Sequence, residues 1–134
     1  MNENKTNINW YPGHMAKTRR EITDVISLID VVEACCVVPK PDKDLLFTNK
    51  VYIVLKDGIM PTKEISDYIM SECYKPIYNS VTGETIQLKP YEVPESIEFL
   101  DKLPLTKADK VNYALLEEMA KEEANTKIKN KELK

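Results

Sequence analysis

At 134 residues, with 43% apolar and 31% charged side chains and only three glycines, the chain has the size and balance of one globular domain and not of a disordered or fibrous segment. Acidic residues number 22 against 19 basic, a net charge of -3, so no overall positive field exists to hold nucleic acid or an anionic membrane; such binding would have to be local. No apolar run nears the roughly 18 residues that cross a bilayer, and the polar start MNENKTNIN lacks the apolar stretch of a signal peptide, so a cytoplasmic location with no membrane partner is the expectation.

Residues 1–17 open with a polar run and then Trp10-Tyr11-Pro12-Gly13-His14-Met15, where Pro and Gly break regular structure and predict an irregular arm. Thr18-Arg19-Arg20-Glu21 has the form of a capping box, and Ile22, Val25, Ile26 and Ile29 recur at helical spacing, predicting a helix over 18–29. The run 31–38 is β-branched, bounded by Pro39 and Pro41, and reads as a buried strand. A second strand is expected over 50–56, with Val51, Ile53 and Leu55 on one face and Tyr52 and Val54 on the other. PKPDKDLLFTN between them reads as a loop.

Ile65, Tyr68, Ile69 and Cys73 fall on one stripe and predict a second helix over 62–74. Residues 76–90, with Gly83 at their centre, read as a small surface hairpin. Ile97 and Phe99 alternate with Glu98 as in a half-buried strand over 96–101. After the extended LPLTKAD segment, Val111, Leu115, Leu116 and Met119 form a third helical stripe, and from 125 to 134 the polar tail is expected to fray. The sum is an α+β domain over 18–124, a small sheet of about three strands flanked by about three helices.

Cys35 and Cys36 are adjacent in an apolar run and Cys73 stands alone, which fits neither metal ligation nor a disulfide framework and suggests buried small hydrophobes. His14 is the single histidine, which leaves no His-based catalytic pair or multi-His metal site within the chain. No metal is expected.

Four strings in order resemble the C-terminal lid domain of the adenylate-forming family, the AMP-forming acyl-CoA synthetases, luciferases and peptide-synthetase adenylation domains. Glu21-Ile22-Thr23-Asp24-Val25 precedes Val32-Glu33-Ala34-Cys35-Cys36-Val37-Val38, then come Val51-Tyr52-Ile53-Val54-Leu55-Lys56-Asp57-Gly58 and Tyr91-Glu92-Val93-Pro94 with Ile97, Phe99 and Leu103-Pro104. The last, Leu103-Pro104-Leu105-Thr106-Lys107-Ala108-Asp109-Lys110-Val111, occupies the family's LP-x-T-x-x-GK loop.

By this resemblance Lys110 is the candidate catalytic lysine, and ATP and CoA are ligands only in complex with a large adenylation domain acting in trans. The chain by itself is expected to be an incomplete acid-thiol ligase and to bind neither alone. A lysine suits the chemistry, because adenylation brings a carboxylate against the α-phosphate of ATP and the two anions repel until a cation bridges them. A flexible ammonium on a mobile lid supplies that bridge and withdraws when the lid rotates. Two departures stand out. Asp109 replaces the family's Gly, adding a negative charge beside Lys110 and removing a residue tolerant of positive φ. WYPGHMAKTR resembles neither the family's hinge nor its Gly-containing loop.

A second resemblance covers the front. Asn9 to Ile22, reading NWYPGHMAKTRREI, resembles the opening of circularly permuted ribosome-assembly GTPases, and Thr106-Lys107-Ala108-Asp109 has the T-K-x-D form of a guanine-reading motif. No G-x-x-x-x-G-K-[ST] loop follows, so no cradle for the β and γ phosphates is expected and GTP hydrolysis is excluded on an ordinary mechanism. The alternative functions are therefore a ribosomal-RNA-binding module working through Lys17, Arg19, Arg20 and the aromatic arm, or a regulatory or vestigial domain with no chemistry.

Overall fold

A computed structural model describes residues 17–42 and 46–132; the expected arm up to residue 16 lies outside them. Helix α1, Arg19–Ile26, starts where the sequence placed it. Thr18 caps it, its hydroxyl accepting from the Glu21 amide at 3.1 Å while the Glu21 carboxylate accepts from the Thr18 amide at 2.9 Å. These bonds to Thr18 hold the Glu21 carboxyl below its usual range. The helix ends earlier than expected. Leu28 and Ile29 donate to carbonyls three residues back, a tightening that ends α1 while still burying Ile29.

Strand β1, Val32–Asp42, pairs antiparallel with β2, Leu46–Leu55. Most of the segment expected as a loop over 39–49 is thus a continuation of this hairpin, with Pro39 opposite Asn49 and Pro41 opposite Phe47. The reason lies in which edge the prolines face. β1 is an edge strand, and the Val37 amide points away from β2 to donate to the Thr23 hydroxyl at 3.0 Å. Pro39 and Pro41 share the parity of Val37, so the N–H groups they lack belong to the unpaired edge and the ladder loses nothing.

Thr62 caps helix α2, Lys63–Cys73, and a two-stranded hairpin follows, β3 Ile77–Asn79 with β4 Glu84–Ile86, as the turn residues predicted. Gly83 closes it at φ 78°, a left-handed value that glycine adopts without strain. Strand β5, Ser96–Phe99, returns parallel to β2 with Ile97 beside Val51. The main sheet runs β1-β2-β5, so the chain folds as the expected α+β domain.

Alternation in β2 divides the core into two layers. Val51 and Ile53 join Ile22, Val25, Ile26 and Ile69 under α1 and α2, whereas Tyr52 joins Cys36, Val38, Leu103, Leu116 and Ala120 under α3. Helix α3, Tyr113–Glu132, departs from expectation in two ways. Of the expected stripe, Leu116 is buried and Met119 packs against the same core, where Ala120 joins them, and Ala124 is buried one turn further on, whereas Val111 and Leu115 are exposed. It also runs on to Glu132, past the point where the polar tail was expected to fray.

The α3 layer contains a charge cluster that hydrophobic patterning does not reveal. Lys50 is 2% exposed and its ammonium pairs with Glu98 at 2.7 Å and with Glu123 of α3, while lying 4.8 Å from the centre of the Tyr52 ring. Lys40 reaches Glu123 at 3.3 Å. Burial opposes the charge on Lys50, but the hydrogen bonds to Glu123 and Glu98 outweigh it and its pKa moves up. Burial likewise pushes against ionisation of Glu123, yet Lys50 and then Lys40 bring its carboxyl down to about 2. The three cysteines are free and buried, and burial raises the Cys35 thiol to about 12. They pack as small apolar groups.

Candidate functional site

Lys110 sits at the end of a loop fixed at its base and open at its tip. Leu103 is buried against α3, and the Pro104 carbonyl accepts from the Asn112 amide at 2.8 Å. Asn112 in turn caps α3 by accepting from the Leu115 amide at 3.1 Å. Leu105 and Val111 then form an antiparallel bridge, and Thr106 organises the residues between them. Its amide donates to the Lys110 carbonyl at 2.7 Å, its carbonyl accepts from Asp109 at 3.0 Å, and its hydroxyl accepts from the amides of Ala108 and Lys110.

Such a three-residue hairpin needs a left-handed residue at its last position, and Asp109 supplies it with φ 61°. The family's Gly is therefore replaced without loss of the turn, because a short side chain that bonds locally tolerates this region better than most. Lys110 is exposed, and no described carboxylate lies within ion-pairing distance of its ammonium, Asp109 included. Its charge is available to a ligand.

The loop lies across a groove of about 710 Å³ from the start of α1, where Lys110, Arg19, Arg20, Thr23 and Tyr113 all face one space. Sequence reading gave Lys110 and, separately, Arg19 and Arg20; the fold brings them together. The Arg20 side chain has no described partner, and Arg19 donates through Nε to the Asn49 side chain at 2.9 Å, a neutral acceptor that leaves its charge uncompensated.

The junction with the front segment is also built into the domain. Glu92 is 1% exposed, and its carboxylate accepts from the amides of Lys17 at 2.5 Å and Lys89 at 2.8 Å. Its carbonyl accepts from the Asn49 amide group at 3.1 Å, and the Lys17 ammonium stands 3.7 Å from its carboxylate. Glu92 was legible only as one letter of the YEVP string; apart from Lys89, the partners that make it structural, Lys17 and Asn49, lie in distant segments. Among the described residues no group of His, Cys, Asp or Glu is placed to hold a metal, and no helix is long and apolar enough to cross a membrane.

Residues 21–110 match the model of the AMP-binding enzyme C-terminal domain. The chain belongs to that family, the C-terminal domain of AMP-forming acyl-CoA ligases. A 4-hydroxybutyrate-CoA ligase of Metallosphaera sedula is 36% identical over 91 residues, covering 68% of this chain but 14% of the ligase. The crystal structure of an acyl-CoA synthetase of Brucella canis superposes with a TM-score of 0.64 at 22% identity, over 76% of this chain and 17% of that one, a likeness of fold. Over 25 residues, 19% of this chain and 9% of the relative, the sequence is 64% identical to ribosome biogenesis GTPase A of Bacillus pumilus. The chain thus spans a small fraction of each of these proteins.

Proposed function

We propose that this chain acts as the lid of an AMP-forming acyl-CoA ligase, bringing Lys110 to a large ATP-binding domain carried on another polypeptide. The observation that carries the reading is Lys110 itself. It is an exposed ammonium without an ion-pair partner among the described residues, at the closing end of a loop whose base is anchored by Leu103, Pro104 and Asn112, so the charge is displayed from a fixed root.

In the first half-reaction a substrate carboxylate oxygen attacks the α-phosphorus of ATP and pyrophosphate leaves. Lys110 bridges the two anions and stabilises the charge that grows on the phosphoryl oxygens. In the second, CoA thiol attacks the acyl carbonyl and AMP leaves as the thioester forms. On this reading ATP and CoA bind to the assembled pair.

The test mixes the chain with a large domain from a related ligase, truncated before its own C-terminal domain, and follows acyl-adenylate and acyl-CoA formation. Wild-type chain restores turnover, and Lys110→Ala lowers adenylation about 100-fold or more, the scale of losing one charge-stabilising donor. Equal rates with wild type and Lys110→Ala would overturn the assignment.

A further inference from the structure

The Lys110 groove does not stand alone. Arg19 lines it and also lines a second groove on the other side of the first turn of α1, between Phe47 of β2 and Tyr91. Phe47 is 57% and Tyr91 62% exposed, so much of each ring is open to a ligand.

Four cations line the two grooves, Lys17, Arg19, Arg20 and Lys110, against a single carboxylate, that of Glu92. Glu92 is already committed to the Lys17 and Lys89 amides. Acids in neighbouring positions include Glu21, held in the capping box, Asp24 on α1, Asp109 beside Lys110, Glu117 near Tyr113, Asp42 next to the partner of Phe47 and Glu95 beside Asn49. None of them pairs with Arg20 or Lys110. The surface is locally basic although the chain is acidic overall.

From the sharing of Arg19 between these grooves, we infer that Phe47, Tyr91, Arg19, Arg20, Lys110 and Tyr113 form one continuous strip that binds single-stranded nucleic acid. Bases stack on Phe47 and Tyr91, and the phosphates that follow meet Arg19, Arg20 and Lys110, with Tyr113 at the far end. Rings interleaved with cations are the arrangement that recognises unpaired strands, since every base has a face to stack and every linkage a charge. A duplex hides its base faces and does not fit. A lone nucleotide satisfies one groove and leaves the other empty, which favours a ligand several nucleotides long. The strip lies on the folded domain, drawing on α1, β2, α3, the turn that carries Tyr91 and the Lys110 loop.

Fluorescence anisotropy of the full chain with labelled 12-nucleotide oligouridylate and oligothymidylate tests this, the pair separating RNA from DNA preference. Binding is expected at about 50 mM salt and should weaken steeply towards 200 mM. Phe47→Ala and Tyr91→Ala each weaken it about tenfold while Tyr91→Phe keeps it. Arg20→Gln lowers the slope of log affinity against log salt by about 0.7, and Lys63→Gln, a charge change on the outer face of α2, has no effect. All these side chains are exposed, and circular dichroism checks that each variant is folded. Absence of binding to both oligomers at low salt overturns the inference. So does wild-type affinity in both alanine variants, or competition by uridine monophosphate at the same molar concentration as the 12-mer. Because Phe47 and Tyr91 have no part in the ligase reading, either proposal can fail while the other stands.

Discussion

The Lys17 amide donates to the Glu92 carboxylate at 2.5 Å across 75 positions of sequence. Lys17 lies just ahead of α1 and Glu92 in the turn before β5, so the start of the described chain is tied to the domain by a part-buried polar contact. Arg19 and Asn49 add a second such link. Replacing Glu92 with Ala leaves two amides without an acceptor and the Lys17 ammonium without its partner. We expect a loss of about 3 kcal/mol in urea unfolding, together with faster hydrogen exchange at the Lys17 and Lys89 amides. Unchanged exchange at both amides would show that the contact does not hold the junction.

Asp109 is the one described non-glycine residue with positive φ. Asp109→Gly should stabilise the domain by about 0.5–1 kcal/mol, because glycine adopts this conformation freely. Asp109→Val should cost about 1–2 kcal/mol, a β-branched residue being a poor fit there. Thermal unfolding of the two variants gives shifts of opposite sign; shifts of the same sign would contradict the turn geometry.

Glu123 makes stability depend on acid. Its folded pKa, about 2, lies below the ordinary carboxyl value, so its contribution is fully present above about pH 5 and disappears as pH falls through the interval down to about 2. Glu123→Gln should flatten the stability profile over that interval. At neutral pH it should cost about 2 kcal/mol, less than a buried pair usually loses because Lys50 keeps Glu98. Denaturant melts from pH 2 to 7 on both proteins provide the comparison, and parallel curves would remove Glu123 from the account.

Thr23 satisfies the outward amide of β1. Its hydroxyl accepts from Val37 and donates to the Arg19 carbonyl at 2.8 Å. Thr23→Val preserves shape but strands the Val37 amide beside a packed helix, at a cost of about 1–2 kcal/mol. Thr23→Ser keeps the hydroxyl and should lose less. A ranking of the two by urea midpoint that came out reversed would point to methyl packing as the role of Thr23.

Local rules made much of the domain readable. The box at Thr18 and Glu21, the alternation from Val51 to Leu55 and the stripe through Ile65 and Ile69 each express contacts within a few residues, so their elements appear close to where they were expected. The LPLTKADK string likewise marked its loop, and the order of strings marked the family. The misread stretches had causes outside the local pattern. Pro39 and Pro41 signal a loop unless one knows that β1 is an edge whose outward amides face α1. In the α3 stripe Leu116 and Met119 were read correctly, but Val111 belongs to the loop ahead of the helix and Leu115 to its exposed face, while the small Ala120 and Ala124 that pack inward carry no strong apolar signal.

What the sequence determined by itself is therefore the set of elements, the family-like loop and Lys110 as its candidate residue, since these rest on periodicity, caps and ordered strings. Tertiary structure decided the rest. It showed Asp109 taking the left-handed position, brought Arg19 and Arg20 to face Lys110, and buried Lys50 against Glu98 and Glu123. The first follows from the short hairpin between Thr106 and Lys110; the other two depend on which distant backbone segments pack together, and charge or burial at such a contact leaves no mark on the residues adjacent in sequence.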